Sequence, residues 1–344
     1  MKHAHFGHQD KILLLQHGCT DLLTLAQRRG APLHKLLAGT RIFEQDLHKP
    51  HGRLHHADWL KLLHNSQQHL NSPELPFLLG SALLHNHYIS LCQTVLHAEN
   101  LSQALRQLYY FRHQLFPSIY VQLCRQPQHL VLEFHSGIAL GPQYSSCISI
   151  VLSLLLNLIK QQLGNTEGVS VQLQHDTATA VQSQLHWGCE VVANQACNSL
   201  HIALPKLQLP FHTADKEKCT AALRTCRQLN RILPRQRGLL ERIYRLQRRA
   251  LPQLLSLEQV AQQLDISVNT LKRQLKQQKT NFAQQLDAIR RDAARQLLQQ
   301  GHYSNRQLAI RLGYSDEHNF RRAFKRWTGL LPSNFKSLLN SPSL

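Results

Sequence analysis

Leu312-Gly-Tyr-Ser-Asp-Glu-His-Asn-Phe-Arg-Arg-Ala-Phe-Lys-Arg-Trp327 decides how the C-terminal third of the chain folds. Phe320, Ala323, Phe324 and Trp327 recur at spacings of three and four, the stripe that one face of a helix buries. His318, Asn319, Arg321, Arg322 and Lys325 are left on the outer face. Just upstream, Ser304 opens a short helical run to Leu312 as its N-cap. Gly313-Tyr-Ser315 then makes a tight turn in which glycine supplies the positive φ. A short helix, a tight turn and a basic amphipathic helix make a helix-turn-helix, whose second helix enters the major groove of DNA.

The pattern occurs once more, about fifty residues earlier. Ser256-Leu-Glu-Gln-Val-Ala-Gln-Gln-Leu264 begins with a serine cap and an acidic first turn, and Val260, Ala261 and Leu264 share a face. Asp265-Ile-Ser267 is the break. Val268 to Gln278 follows, with Leu271 and Leu275 apolar and the rest polar or basic. Between the two copies, Phe282 to Gln299 reads as a long helix whose Leu286, Ile289, Ala293 and Leu297 can pack both units. Two recognition helices about 34 Å apart would enter successive major grooves on one face of the duplex. A basic helical bundle that reads no sequence is the plainer alternative, and the tandem arrangement argues against it.

Charge points the same way. The chain of 344 residues has 39 Lys plus Arg against 20 Asp plus Glu, a net charge of +19. Residues 235–344 hold 20 basic and 7 acidic side chains, net +13, leaving only +6 for the first 234. The last third therefore carries most of a field that attracts polyanions.

Outward from this third the texture changes. Residues 11 to 115 read mainly as helix, with apolar spacing in 21–30, 58–70, 76–84 and 102–115. Ser118 to Cys124 and His129 to Phe134 alternate around Gln126-Pro-Gln, a hairpin. An apolar helix near 147–163 and short strands at Gly168, Cys189 and Leu200 complete the pattern. The expected architecture is an α+β N-terminal domain over 1–212, helices plus a small sheet. A helical connector over 213–254 and an all-α double helix-turn-helix domain over 255–344 follow it.

Other classes fare poorly. No apolar run follows a basic segment near the N-terminus, so no signal peptide is expected. The apolar run Cys147 to Ile159 is shorter than the ~20 residues a bilayer span requires and reads as a core helix. The eight cysteines never form Cys-x-x-Cys, which fits reduced thiols in a cytoplasmic protein. Histidine is abundant at 23 residues. The clusters His3, His5, His8 and His48, His51, His55, His56 lack cysteine or carboxylate partners at ligand spacing, so no metal and no cofactor are expected. A phosphate loop, a nucleophile elbow and His-Glu-x-x-His are absent, so an enzyme is not expected.

The Leu312 to Phe335 stretch resembles the signature of the AraC/XylS family of bacterial transcription regulators. Leu271-Lys-Arg-Gln-Leu275 and the Arg-Arg-Asp-Ala-Ala-Arg run at 290–295 fit the same pattern, so the resemblance spans residues 255 to 338. Asp265 stands where the family has glycine in the first turn, and aspartate tolerates that left-handed geometry. Pro76-Phe-Leu-Leu-Gly80, Leu101-Ser-Gln-Ala-Leu105 and Tyr109-Tyr-Phe-Arg-His resemble the arabinose-binding-like N-terminal domain of a subgroup that includes ornithine-utilisation and virulence regulators. His85-Asn-His-Tyr88 replaces a glycine-rich stretch common there.

The resemblance implies a sequence-specific DNA-binding transcription regulator, in the usual family mode an activator. Its implied partners are double-stranded DNA, RNA polymerase, an unidentified small-molecule effector and a second copy of the chain; no membrane is implied. Carried onto this sequence, the base readers are Asn269, Lys272 and Arg273 in the first unit and His318, Asn319 and Arg322 in the second. Lys276, Arg321 and Lys325 suit phosphates. Leu271, Gly313, Phe320, Phe324 and Trp327 form the structural core of the motif. Two alternatives are an architectural DNA-binding protein without an effector and a DNA-modifying enzyme fused to an AraC-like module. The latter needs a reactive Pro-Cys-His or a zinc-binding cysteine cluster, which Cys189 and Cys197 do not make.

Overall fold

The computed structural model describes residues 5–49, 52–174, 177–233, 237–299, 301 and 303–340. The chain divides into two compact units, one comprising Phe6–Gly238 and the other containing Leu239–Leu344.

The first unit joins helices to a five-stranded sheet. Lys11–Leu14 (β1) pairs antiparallel with Arg53–His55 (β2). The helices are Thr20–Arg28 (α1), Leu33–Leu37 (α2), His56–Leu70 (α3), Leu75–His85 (α4), Ser90–Leu96 (α5) and Leu101–Phe111 (α6). The expected hairpin is present as Ile119–Arg125 (β3) and His129–Ser136 (β4), in register from Ile119↔Ser136 to Arg125↔Leu130. Then come Tyr144–Leu163 (α7), Val169–Gln172 (β5), Thr177–Trp187 (α8), Glu190–Val192 (β6) and Asn198–Ala203 (β7). The sheet order is β3-β4-β7-β5-β6, antiparallel except for the β5–β6 pair.

The structure corrects several local expectations. Lys11–Leu14 is a strand, not part of a helical region: Ile12, Leu13 and Leu14 are all buried. A continuous apolar run carries no period to separate strand from helix. The membrane argument from length also fails, because the helical segment Gly141–Leu163 runs to 23 residues and is apolar enough to cross a bilayer. Its surroundings decide the matter. Leu152, Leu158 and Ile159 are fully buried in the core of this unit. The buried Ser153 Oγ accepts the Trp187 indole N–H at 2.8 Å, and Gln162 Nε2 donates to Thr213 Oγ1 at 2.8 Å. It is a core helix whose buried Ser153 and Gln162 are hydrogen-bonded.

The stretch 213–254 holds two helices that go to different units. Lys216–Ile232 (α9) packs on α5 through Cys219 and Cys226, and Gln114 Nε2 donates to the Cys226 carbonyl at 2.7 Å. Leu239–Ala250 (α10) places Leu239 and Ile243 in the core of the second unit. Both helices have an apolar stripe, and each follows the core that covers it.

Gly80 marks a close approach of α4 to α7. A Cβ there would lie 2.5 Å from the Ile150 carbonyl oxygen of α7 and 2.5 Å from Ser153 Cβ. Backbone cannot yield as a side-chain tip can. Gly80→Ala is expected to lower the stability of the first unit by about 1–3 kcal/mol in a thermal or urea unfolding experiment.

Candidate nucleic-acid interface

The second unit continues with Leu257–Gln263 (α11), Val268–Gln277 (α12), Phe282–Gln299 (α13), Asn305–Arg311 (α14), Glu317–Thr328 (α15) and Pro332–Asn340 (α16). The two helix-turn-helix pairs are α11–α12 and α14–α15. Their entries are built alike. Ser256 Oγ accepts the Gln259 amide N–H at 3.2 Å, and Gln259 Oε1 accepts that of Ser256 at 2.8 Å. Ser304 and Gln307 repeat both bonds at 3.2 and 2.8 Å. Each capping box satisfies amides that a helix start leaves unpaired.

The turns match as well. Asp265 has φ 56° and Gly313 φ 74°. In each turn the next amide reaches back to the first helix, Ile266 to the Ala261 carbonyl at 3.1 Å and Tyr314 to Ala309 at 2.9 Å. The tolerance of Asp265 for the left-handed region is thus used. Gly313 has a second reason to be glycine, since a Cβ there would collide with the Pro252 carbonyl oxygen.

Each pair has its own core. Val260, Leu264, Leu271 and Leu275 close on Leu239 and Ile243 of α10. Leu308, Leu312, Phe320 and Phe324 close on Ala293, Ala294 and Leu298 of α13. On α13 the buried leucine is therefore Leu298; Leu286 and Leu297 are only half-buried. Trp327 is half-buried too, with its ring 6.5 Å from Phe324 and 6.2 Å from Tyr314.

Asn269, Lys272, Arg273 and Lys276 lie on the exposed side of α12, and His318, Arg322 and Lys325 on that of α15. Asn319 and Arg321 are half-buried. The caps fix the correspondence: Ser267 caps α12 and Asp316 caps α15. Counted from the caps, Asn269 matches His318, Lys272 matches Arg321, Arg273 matches Arg322 and Lys276 matches Lys325.

The sequence pattern did not disclose one network. Asp316 Oδ1 accepts the Asn319 amide at 2.7 Å, Asn319 Nδ2 donates to Asp316 Oδ2 at 2.6 Å, and Arg322 Nη2 donates to Asn319 Oδ1 at 2.6 Å. The spacing 316, 319, 322 was the available signal, because residues three apart are neighbours on a helix. The Asn319 amide, the Ser315 hydroxyl and other local donors hold the Asp316 carboxyl below its ordinary range. Its cap is therefore complete above that range and is lost as pH falls through the depressed value.

Not all the basic charge is on this surface. Arg290 of α13 donates to the Leu312 carbonyl at 3.2 Å and covers the Tyr314 ring at 4.8 Å. Arg295 is buried, and Arg326 pairs with Asp287 at 2.9 Å.

Residues 260–337 match the model described as a helix-turn-helix domain. Residues 30–211, over half the chain, match the arabinose-binding domain of AraC transcription regulator, N-term. The chain belongs to the AraC family of transcription regulators. This AraC-family chain is 26% identical over 317 residues to the ornithine utilization regulator of Pseudomonas aeruginosa, spanning 92% of this chain and 94% of that one. An uncharacterized HTH-type transcriptional regulator of Mycobacterium tuberculosis is 24% identical over 146 residues, 42% of each chain. Among solved structures, the transcriptional regulator CdpR of P. aeruginosa is similar at 22% identity over 93% of this chain and 97% of that one, with a TM-score of 0.45. As an AraC-family member the protein is a sequence-specific DNA-binding transcription regulator whose partner is double-stranded DNA.

His3 and His51 lie outside the described residues, and among those described no three His, Cys, Asp or Glu are grouped to hold a metal. Burial pushes the Cys19 and Cys147 thiols up to about 12 and the Cys189 thiol to about 11, which makes them poor nucleophiles.

The two turns make opposite predictions. Gly313→Ala meets both a positive φ and the Pro252 carbonyl, and should destabilise the second unit by more than ~1 kcal/mol. Asp265→Gly relieves a left-handed non-glycine residue and should be neutral or stabilising by a few tenths of a kcal/mol. Urea unfolding of the two variants measures both.

Proposed function

We propose that α12 and α15 are recognition helices that read successive major grooves of one operator, and that DNA binding through them regulates a promoter as an activator. The observation that carries the reading is that Asn269, Arg273 and Lys276 stand, exposed, at the same distances from their helix cap as His318, Arg322 and Lys325 do from theirs, within one compact unit. The connecting α13 has 18 residues. At about 1.5 Å per residue it is some 27 Å long, suited to two helices about one DNA turn apart.

In this reading Asn269, Lys272, Arg273, His318, Asn319 and Arg322 contact bases. Lys276, Arg321 and Lys325 contact phosphates, which set affinity and register. Asn319 has a further task before DNA arrives: it holds the Arg322 guanidinium on the outer face. Residues 1–212 regulate the DNA-binding domain over 255–344, by binding an effector, by pairing two chains, or both. RNA polymerase is the partner that activation requires, and the cytoplasm is where the protein meets its DNA.

Footprinting on an operator found by genome-wide mapping of bound DNA tests the proposal. Protection should cover two successive major grooves, and affinity should fall steeply with salt as phosphates lose counterions. Protection of a single groove segment overturns it.

Arg322→Ala should cost about 1–3 kcal/mol and relax preference at one base pair, whereas Lys325→Ala should weaken all sequences alike and lower the salt slope by about one. Competition binding against a base-substituted operator series separates the two. An Asn319/Arg322 double-mutant cycle on operator binding should show coupling of about 0.5–3 kcal/mol, since the side chains act as a pair.

A further inference from the structure

The first unit contains a cavity of about 300 Å3 between α6, the β3–β4 hairpin and α7. It is a cleft open to solvent at Arg106, Tyr109 and Leu123, and most of its lining is apolar. Strand alternation makes one wall. Val121 and Leu123 of β3 face the same side as Leu132 and Phe134 of β4, and the register pairs Val121 with Phe134 and Leu123 with Leu132. Leu154 of α7 and Leu105 of α6 close the cavity.

Its few polar side chains are not spread around it. Ser102, Arg106, Tyr109 and Arg112 all come from α6 or the residue just beyond it. Arg112 donates to the Ile119 carbonyl at 3.3 Å, while Arg106 is exposed. No acidic side chain is among the lining residues. One wall thus offers positive charge and the remainder offers hydrocarbon.

We infer that this cavity binds an amphipathic carboxylic acid, its apolar body between the hairpin and α7 and its carboxylate on the arginine side. At roughly 30 Å3 per non-hydrogen atom, the share of a water molecule in the liquid, the space suits about ten such atoms, a medium-chain acid in size. A sugar fits poorly, because its hydroxyls point in every direction and most would be buried without partners. An amino acid with a cationic side chain would bring an ammonium into hydrocarbon beside two guanidiniums. The inference rests on the reading of residues 1–212 as a regulatory domain and supplies the chemical class of its effector.

Calorimetric titration of the full chain with sodium decanoate, below its micellar concentration, tests the site. Saturable binding of one decanoate per chain is expected, tightening about fourfold for each methylene added from hexanoate to decanoate. L-arabinose and L-ornithine should give no heat. Arg106→Gln, at an exposed position, should weaken decanoate about two- to fivefold and leave 1-decanol unchanged. Leu123→Glu, on a side chain 51% exposed and hence tolerant of charge, should abolish decanoate binding. Absence of saturable binding by any of the acids, tighter binding of arabinose or ornithine, or decanoate binding untouched by both substitutions overturns the inference. Operator affinity measured with and without decanoate separates the two claims: binding that leaves DNA affinity unchanged upholds the site and removes effector sensing from the proposed function.

Discussion

The DNA-binding unit depends on a place where there is no room for a side chain. At Gly313 the backbone turns through a left-handed φ and passes against the Pro252 carbonyl. Pro252 precedes the first helix-turn-helix, and Gly313 is the turn of the second. The contact seats one pair against the entrance of the other. Arg290 reinforces the seat from α13 by donating to the Leu312 carbonyl, which the end of α14 leaves without a helical partner. Helix α13 joins the two small cores as well, with Phe282 packed against the first and Ala293, Ala294 and Leu298 in the second. Backbone contacts of this kind admit few alternative arrangements.

Given that frame, the recognition faces follow from local chemistry. Capping boxes set where α11 and α14 begin; Ser267 and Asp316 set where α12 and α15 begin. Once the start of a helix is fixed, the direction of every later side chain is fixed with it. That is why Arg273 and Arg322 come to equivalent places although their neighbours differ. The Asp316–Asn319–Arg322 chain orders this arginine in the free protein, so in the proposed reading part of the entropy of immobilising it is lost before DNA binds.

The first unit is organised around α7, which the sheet, α4 and α8 cover. A helix apolar on every side must find partners in the core for its polar residues. Ser153 finds the Trp187 indole and Gln162 finds Thr213. The buried thiols carry no such burden: cysteine packs as a small apolar group, and burial keeps it protonated. On the sheet side of α7 the core opens into the cavity beside α6, where packing is given up in favour of space.

Periodicity, caps and turn residues in the sequence determined the tandem helix-turn-helix, the long helix between its halves, the hairpin at 118–134 and the family signature. These are local properties: a serine cap, a glycine at positive φ and an apolar stripe act within a few residues of themselves. The tertiary structure decided what depends on distant residues. It assigned Lys216–Ile232 and Leu239–Ala250 to different units, because an amphipathic helix does not specify which core will cover it. It turned Ile12 to Leu14 into a strand, because a short apolar run has no period. Arginines 290 and 295 went inward and left fewer cations for DNA than composition suggests. The cavity too was out of reach of sequence reading, since it is bounded by residues from Ser102 to Leu155 that adjoin only when hairpin and helices pack.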